Sequence, residues 1–370
     1  MKKLPLKLEK RLQIRKEENS FRELSSPDKF KTDFFSNDYL GYARSKQIYE
    51  NTARILGTSS LLNGSTGSRL LSGNHQLFKK AENMLASYHN SQSALIFNSG
   101  YDANIGFFSA VPQKNDVIFY DELSHASIRD GIKMSLARNY KFRHNDLQDL
   151  KSKMERLSEL ENAELYVVTE SVFSMDGDSP DIKTLVEMAL EFNFNLIIDE
   201  AHATGVIGKK GEGLVQQSGL ESKIFARIHT FGKAMGCHGA AILGSKQLMD
   251  YLINFSRSFI YTTALSPHSV ASIFAAYRFM ESDRKALQEL NTNIEHFRSE
   301  LIKNGLQDFF VESESAIQSC ILPGNSKVKS IAERLSEKDF SVKAILSPTV
   351  PEGRERLRFC VHSYNSPAEI

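Results

Sequence analysis

Short apolar runs alternate with amphipathic stretches through the middle of the chain. The runs are Ser93–Phe97, Asp116–Tyr120, Leu165–Val168 and Leu196–Ile198. Between the last two, apolar residues recur at the spacing of one helix face: Ile182, Leu185, Val186, Ala189 and Leu190. Short, continuously apolar strands separated by helices are typical of a mostly parallel sheet with helices on both faces. The pattern therefore predicts an α/β fold.

The two ends of the chain have a different pattern. The charged stretch Leu6–Arg22 predicts a leading helix, and a charged helix over about Ser282–Asn304 precedes the strand-like run Ser341–Ile345. We expect three parts: an N-terminal helix and arm (1–45), a large domain (46–280) and a smaller α+β C-terminal domain (281–370). Asn365–Ile370 resembles the opening of a helix, which predicts that the rest of that helix is missing.

The composition excludes several classes of function. The 370 residues carry 46 Lys and Arg against 45 Asp and Glu, without the basic excess of a nucleic-acid-binding protein. The charged start of the chain lacks the apolar core of a signal peptide, and no apolar run approaches the length of a membrane span. The three cysteines, Cys237, Cys320 and Cys360, have neither disulfide-framework nor zinc spacing. We expect a cytoplasmic protein with no metal site, nucleic-acid partner or stable membrane association.

Polar residues follow several of the apolar runs. Asp199 follows Leu196–Ile198 and opens the sequence Asp-Glu-Ala-His, while Glu170 and Ser174 follow the preceding run. Parallel α/β sheets bind ligands at the carboxyl ends of their strands. We therefore expect these side chains at a functional site, although Asp199 alone could simply cap the next helix.

Asp-Glu-Ala-His also occurs as the acidic box of helicase ATPases. That function needs a phosphate-binding loop of the form Gly-x-x-x-x-Gly-Lys-Ser/Thr. Gly232-Lys233 is followed by Ala234, and Arg227 stands where the first glycine belongs. The sequence therefore argues against a helicase.

Lys233 lies between glycines in Thr230-Phe231-Gly232-Lys233-Ala234-Met235-Gly236. Glycine lets the backbone approach a bulky ligand, whereas a lysine in an ordinary loop is simply solvated. The combination of Lys233 with Asp199 and His202 is what a pyridoxal 5'-phosphate (PLP) enzyme requires. The lysine forms a Schiff base with the cofactor, and the carboxylate keeps the pyridine nitrogen protonated so that the ring can accept electrons.

Several motifs, in the expected order, resemble the α-oxoamine synthase family of fold-type-I PLP enzymes. They are Ser36–Gly41, Gly64–Arg69, Leu123–Ser127, Glu170–Asp178, Asp199–His202 and Thr230–Lys233. Taken singly, only Glu170–Asp178 and Thr230–Lys233 are specific. The resemblance runs from about residue 6 to the end. It implies a PLP-dependent transferase fold and a homodimer with shared active sites.

The resemblance also implies roles for residues around the cofactor. Lys233 would hold PLP and later move protons at the substrate α-carbon, and Asp199 would pair with the pyridinium nitrogen. His202 would hydrogen-bond the ring hydroxyl, and His125 would stack on the ring and contact substrate.

Further residues are implied at the cofactor's periphery. Ser174 and Thr230 would contact PLP, and Gly100 and Tyr101 open a helix after a strand, where backbone N–H groups favour a phosphate. Thr262 and Thr263 resemble residues that reach the phosphate from the neighbouring subunit. Alternatively, Thr262 and Thr263 are simply β-branched residues in a turn, without a role at the cofactor.

Substrate contacts follow from the same resemblance. Arg358 would bind the substrate carboxylate, a bidentate partner for arginine, although strand alternation also allows it to lie on a solvated face. Asn37, Thr349 and Arg22 match substrate-contacting positions, Arg22 with the fewest aligned residues. The substrates would be an amino acid and an acyl thioester.

Family members make 8-amino-7-oxononanoate, 2-amino-3-oxobutyrate, 5-aminolaevulinate or a sphingoid base precursor. The stretches Glu170–Asp178, Thr230–Leu243 and Phe259–Thr263 favour the first, made in biotin synthesis from L-alanine and a pimeloyl thioester. Cys237-His238 and Thr66 depart from the family pattern, so the acyl pocket could differ. Glycine C-acetyltransferase and serine palmitoyltransferase remain alternatives within the family.

Two alternatives lie outside the family. An aminotransferase or lyase on the same fold would share Asp199 and Lys233 but would not need the Glu170–Asp178 pattern. A catalytically silent binding protein would be expected to lose the lysine or the aspartate, and both are present.

Overall fold

A computed structural model describes residues 3–24, 31–57, 62–156 and 162–370. The chain divides into two compact units. One comprises Met1–Ser36, Met175–Gly177 and Leu290–Ile370, and the other comprises Asn37–Ser174 and Asp178–Glu289. The predicted arm and large domain include residues outside the described ranges (1–2, 25–30, 58–61 and 157–161), and the three-part division stays a prediction.

Helices occupy the amphipathic stretches. They are α1 (Leu6–Glu17), α2 (Lys46–Gly57), α3 (Gln76–Tyr88), α4 (Gly100–Phe108), α5 (Ala126–Met134), α6 (Leu147–Glu155), α7 (Ile182–Phe192), α8 (Leu214–Gln217), α9 (Lys246–Phe255), α10 (Arg257–Ile260), α11 (Pro267–Ser282), α12 (Lys285–Lys303) and α13 (Asn325–Glu337). Within the described ranges, no helix is both long enough and apolar enough to cross a bilayer.

Strands occupy the predicted apolar runs and several further segments. They are β1 (Thr32–Phe34), β2 (Ser93–Phe97), β3 (Val117–Asp121), β4 (Arg138–Phe142), β5 (Leu165–Glu170), β6 (Phe194–Asp199), β7 (Ala226–Thr230), β8 (Ala240–Gly244), β9 (Ile317–Ile321), β10 (Phe340–Ile345) and β11 (Arg356–Cys360).

The unit that includes Lys233 contains a seven-stranded sheet, as far as the described residues show, in the order β2-β8-β7-β6-β5-β3-β4. Strands β4, β3, β5, β6 and β7 are parallel, and β8 is antiparallel to both its neighbours. The predicted mostly parallel α/β fold is confirmed.

Both faces of this sheet are buried because successive strand residues point to opposite sides. On β3, Ile118 packs into one apolar cluster with Phe107 and Ile128, whereas Phe119 belongs to a second cluster with Leu185. This arrangement explains why the central strands are continuously apolar rather than alternating.

Strand register determines which side chains meet at the carboxyl edge of the sheet. Glu170 at the end of β5 is paired with Asp199 at the end of β6, and Asp199 is paired with Ile228 on β7. The residues that follow these strand ends therefore converge.

The other unit contains a four-stranded sheet in the order β1-β10-β11-β9. Strand β1 runs parallel to β10, and the remaining pairs are antiparallel. Arg356 and Arg358 on β11 are only 2% and 6% exposed, and Arg356 forms a salt bridge with Asp176. The face carrying the arginines is therefore buried, not solvated.

Candidate active site

A cavity of about 270 Å³ lies at the carboxyl edge of the seven-stranded sheet. Its lining includes Asn37, Gly100, Tyr101, His125, Asp199, His202, Thr230 and Lys233. Ser99, Asn104, Ser127, Glu170, Ala201, Gly232, His238 and Gly239 complete it. Eight residues to which the family resemblance assigns a role therefore surround one space, together with Glu170.

The Asp199 carboxylate is held by two hydrogen bonds from the chain. The amide N–H of Ala201 donates to Oδ1 at 2.9 Å, and Nδ2 of Asn104 donates to Oδ2 at 2.9 Å. Asp199 and Asn104 are both buried. Charge-assisted hydrogen bonds of this kind favour an ionised, oriented carboxylate.

Asn104 connects Asp199 to His125. Its Nδ2 also donates to Oγ of Ser127 at 3.0 Å, and that oxygen lies 2.7 Å from Nδ1 of His125. Because the backbone N–H of Ser127 donates to Nδ1, that nitrogen is an acceptor and the ring carries its proton on Nε2. The chain Asp199–Asn104–Ser127–His125 thus fixes two predicted site residues together.

His125 precedes α5, and its backbone N–H donates to Oε1 of Glu170 at 2.6 Å. Burial lowers the pKa of the His125 ring; Asp199 opposes this effect, and Lys233 adds to it. A neutral imidazole presents a flat, uncharged face to the cavity.

Glu170 is buried beside Asp199. Burial and the neighbouring Asp199 charge raise the pKa of the Glu170 carboxyl to about 8. The cavity therefore contains one carboxylate and, at neutral pH, one carboxylic acid.

The first turn of α4 forms one wall of the cavity. Ser99 caps the helix by accepting a hydrogen bond from the Asp102 N–H at 3.0 Å. A Cβ atom at Gly100 would lie 2.5 Å from Cγ2 of Thr230, so glycine lets the helix start approach the end of β7 without displacing that side chain. Backbone N–H groups and the helix dipole make such a helix start favourable for an anion.

Lys233 lies in the connection between the antiparallel strands β7 and β8. Phe231 N–H donates to the Gly239 carbonyl at 2.9 Å, and Cys237 N–H donates to the Phe231 carbonyl at 2.7 Å. Gly236 has a φ of 61°, a conformation that L side chains rarely adopt. These contacts make the lysine loop an ordered hairpin connection.

His202 is oriented by Tyr39. Nδ1 of His202 lies 2.9 Å from the Tyr39 hydroxyl, which donates to Oδ1 of Asn37 at 3.1 Å. With that hydroxyl donating to Asn37, the His202 Nδ1–H donates to the tyrosine oxygen, which leaves Nε2 as an acceptor.

Other predicted site residues lie outside this lining. Thr262 and Thr263 accept hydrogen bonds from Nδ2 of Asn98, at 3.0 Å to the Thr262 hydroxyl and 2.7 Å to the Thr263 carbonyl. Ser174 lies beyond β5 and is half-buried.

The remaining predicted substrate-contacting residues belong to the unit with the four-stranded sheet. There, Arg22 donates to the Thr349 hydroxyl at 3.2 Å, and Arg358 is buried with its guanidinium 3.1 Å from Sγ of Cys360.

Comparison with known proteins decides the family. The model of the aminotransferase class I and II family matches residues 29–370. The chain belongs to this family.

Relatives within the family are α-oxoamine synthases, as the motifs predicted. The 8-amino-7-oxononanoate synthase of Emericella nidulans is 40% identical, and the match covers 98% of this chain and 92% of that protein. A crystal structure of 8-amino-7-oxononanoate synthase from Francisella tularensis is 27% identical, with a TM-score of 0.77, and covers 92% of this chain and 95% of that one.

A serine palmitoyltransferase from S. paucimobilis with a bound PLP–myriocin aldimine is also similar. It is 27% identical, has a TM-score of 0.85 and covers 92% of this chain and 84% of that one. The fold-type-I transferase architecture predicted from the sequence is therefore confirmed.

Sequence reasoning missed Asn104 as a site residue. It included Ser127 and Tyr39 in motifs without giving either a role, and it expected Glu170 at the site only as a residue at a strand end. Asn104 had a detectable signal, because it is a polar residue on the face of α4 that buries Ala103 and Phe107. Such a residue needs a buried hydrogen-bond partner. Tyr39 lies in the motif Ser36–Gly41, but its contact with His202 was not visible in the sequence, because only the folded chain brings the two residues together.

Proposed function

We propose that this chain is a PLP-dependent C-acyltransferase that condenses an amino acid with an acyl thioester and releases carbon dioxide. The observation that carries the proposal is the convergence of Lys233, Asp199 and His125 on one cavity. Family membership supports it, because relatives across nearly the whole chain are α-oxoamine synthases.

The donor groups of the cavity fit PLP. The start of α4 suits the phosphate, the Asp199 carboxylate suits a protonated pyridine nitrogen, and the Lys233 amine suits covalent attachment of the aldehyde. His202 suits the ring hydroxyl, since its Nε2 accepts a hydrogen bond. When bound, PLP supplies an electron sink for the carbanion formed at the substrate α-carbon.

The chain's own residues then carry out positioning and proton transfer. Asp199, which Asn104 and Ala201 hold in place, would stabilise the positive charge of a protonated pyridine nitrogen. The Lys233 amine would take a proton from the substrate α-carbon and later return one. His125 stacks against the reacting face, and its orientation is set by Ser127 and Glu170.

The proposed reaction is an acyl transfer followed by decarboxylation. The α-carbon gives up its proton and forms a carbon–carbon bond to the acyl carbonyl, the carbon–sulfur bond breaks, and the sulfur takes up a proton and leaves as the thiol. The carboxylate of the resulting β-keto acid leaves as carbon dioxide, and a proton replaces it on the α-carbon. Arg358 is proposed to bind the amino-acid carboxylate, with Asn37, Thr349 and Arg22 as further substrate contacts and Ser174 as a cofactor contact.

L-alanine and a pimeloyl thioester are the proposed substrates, giving 8-amino-7-oxononanoate for biotin synthesis. The 40% identical relative over 98% of the chain supports this choice. Serine palmitoyltransferase is the second candidate, because its structure has the higher TM-score, 0.85 against 0.77. Backbone similarity within one family does not discriminate substrates, so the sequence relative has more weight.

The test is a panel of alanine, glycine and serine crossed with acetyl-, pimeloyl- and palmitoyl-CoA. We expect the highest kcat/KM for alanine with pimeloyl-CoA. Preference for alanine over glycine should be about 10- to 200-fold, because it depends on burying one methyl group. Palmitoyl-CoA with serine as the best pair would assign the second candidate.

Borohydride reduction and peptide mapping should place the cofactor on Lys233.

We further propose that the protein acts in the cytoplasm as a homodimer. Thr262 and Thr263 would then contact the phosphate bound in the partner's cavity. Their position outside the lining of their own chain's cavity is compatible with this role.

A further inference from the structure

His144, just beyond β4, lies between two carboxylates outside the cavity lining. Its Nδ1 is 3.0 and 3.1 Å from the two carboxylate oxygens of Asp121, and its Nε2 is 2.8 Å from Oδ2 of Asp178. The ring also packs edge-on against Phe173, with centroids 4.4 Å apart. Neither PLP nor the proposed chemistry uses this histidine.

The geometry determines the protonation state of the ring. A neutral imidazole has one N–H and would turn a lone pair toward one of the two carboxylates. Both nitrogens donate only in the imidazolium, which is then paired with two anions. Burial alone would lower the pKa of His144, but the hydrogen bonds to Asp121 and Asp178 outweigh it and raise the pKa to about 10.

Asp121 anchors the loop that leads to His125. Its Oδ1 accepts from the Leu123 N–H at 2.8 Å, and its carbonyl accepts from the Ser124 N–H at 3.0 Å. Asp121 is completely buried. A shift of this carboxylate would therefore move the residues immediately before His125.

Asp178 anchors the second loop, which carries Ser174. The Asp178 carbonyl accepts from the Phe173 N–H at 3.0 Å and closes the loop between them. Both His144 and Asn145 bind the same oxygen, Oδ2, of its side chain. Among the described residues, His144 is the only cationic group within salt-bridge distance of Asp178.

We propose that His144 is a positioning residue. Its protonated ring binds both Asp121 and Asp178, and this clamp fixes the loop that leads to His125 relative to the loop that carries Ser174. The proposal rests on the proposed function for its catalytic consequence, since only there do His125 and Ser174 have roles. The clamp itself is a property of the chain without cofactor.

Hydrogen exchange on the cofactor-free protein tests the clamp. His144→Gln should accelerate exchange in peptides covering both 121–126 and 171–178, with β8 (Ala240–Gly244) unchanged. Asp178→Asn leaves the Asp121 contact intact, so it should accelerate the 171–178 peptide alone. His268→Gln, an exposed histidine at the start of α11, is the matched control and should change neither.

The same variants, loaded with PLP, test the catalytic consequence. His144→Gln should lower kcat by up to about 100-fold, the scale of effect for a small misplacement of reacting groups. It should also change the visible circular dichroism of the cofactor, while the thermal midpoint stays above the assay temperature. Equal kcat and dichroism in His144→Gln and His268→Gln would overturn the positioning role.

The outcomes separate the two proposals. If wild-type protein neither binds PLP nor condenses any pair in the panel, the proposed function fails, and hydrogen exchange still reports on the clamp. Unchanged exchange at both loops in His144→Gln, or at 171–178 in Asp178→Asn, overturns the clamp. If His144→Gln does not fold, the single-loop effect of Asp178→Asn decides.

Discussion

At the scale of single residues, Asp199 and Glu170 lie side by side at the ends of adjacent strands but have different surroundings. Asp199 accepts hydrogen bonds from Ala201 and Asn104, whereas Glu170 accepts one from the His125 backbone. Burial and the neighbouring Asp199 charge disfavour a second charge here and raise the pKa of Glu170, which keeps its proton at neutral pH. The pair can therefore present one fixed negative charge to the cofactor.

Asp199→Asn tests that charge. An amide cannot stabilise a protonated pyridine nitrogen, so we expect PLP to bind while α-proton exchange of bound alanine slows by about 100-fold or more, each tenfold corresponding to ~1.4 kcal/mol. Proton NMR in deuterium oxide measures this exchange. Asp250→Asn, on the exposed face of α9, is the control, and exchange at the wild-type rate in Asp199→Asn would contradict the assigned role.

Glu170 makes stability depend on pH. With a pKa of about 8 when folded and about 4.3 when unfolded, the folded chain keeps a proton that the unfolded chain loses. Stability therefore falls as pH rises between these values, by a few kcal/mol at about 1.4 kcal/mol per pKa unit. Glu170→Gln, shaped like the protonated acid, should remove this loss.

Thermal unfolding of the cofactor-free protein measures the effect. The midpoint of Glu170→Gln minus that of wild type should grow by several degrees between about pH 5 and about pH 9. Glu187→Gln, on the exposed side of α7, should show no such trend. A flat difference for Glu170→Gln would show that Glu170 is ionised when folded.

At the scale of secondary structure elements, the approach of α4 to β7 shapes the proposed phosphate site. Gly100→Ala places a Cβ 2.5 Å from Cγ2 of Thr230, so the Thr230 side chain or one of the two elements must shift. Such overpacking costs ~1–3 kcal/mol, and we expect PLP affinity to fall by about 10- to 100-fold. Fluorescence titration with PLP measures the affinity.

Gly57→Ala provides the matched control for this prediction. Among the described residues, a Cβ at Gly57 would meet no atom within 4 Å apart from its own helix and chain neighbours, so the variant should bind PLP as wild type does. Wild-type affinity in Gly100→Ala would mean that the start of α4 does not hold the phosphate.

The strands that the sequence predicted and those it missed differ in composition. Strands β3, β5 and β6 are continuous apolar runs, since both their faces are buried. Strand β4 was missed because, among the strands of the described residues, it pairs with β3 alone, and four of its five residues are partly or fully exposed. Strand β7 was missed because Arg227 and His229 interrupt its apolar character, although both are buried.

The same limit applies to the site. The motifs indicated Lys233, Asp199, His202 and His125, because glycine flanks and strand ends are visible in sequence. Hydrogen-bond partners that come from distant positions were not visible: His144 meets Asp121 and Asp178 only after three strands align. Periodicity predicts which face is buried but not which polar groups meet across it.

At the scale of the whole molecule, the proposed dimer makes each active site depend on two chains. Thr262→Glu would place a negative charge near the partner's phosphate, and Lys233→Ala removes the cofactor attachment. We expect each variant alone to be inactive. Co-expressed chains should regain activity, since a hybrid dimer keeps one site with both residues intact.

Purified hybrids, separated by distinct affinity tags, provide the measurement. Activity in the hybrid fraction and in neither parent would support sharing across the dimer interface. If the hybrid is inactive although sedimentation shows a dimeric mass, Thr262 acts in the site of its own chain.

The contacts that orient Asp199 have a consequence for how the enzyme is charged with its vitamin-derived cofactor. Asn104 and Ala201 belong to the chain itself, so the carboxylate is aimed before any ligand arrives. Little reorganisation of Asp199 is then needed when the cofactor binds. We therefore expect folded protein that was made without vitamin B6 to take up the cofactor later without refolding.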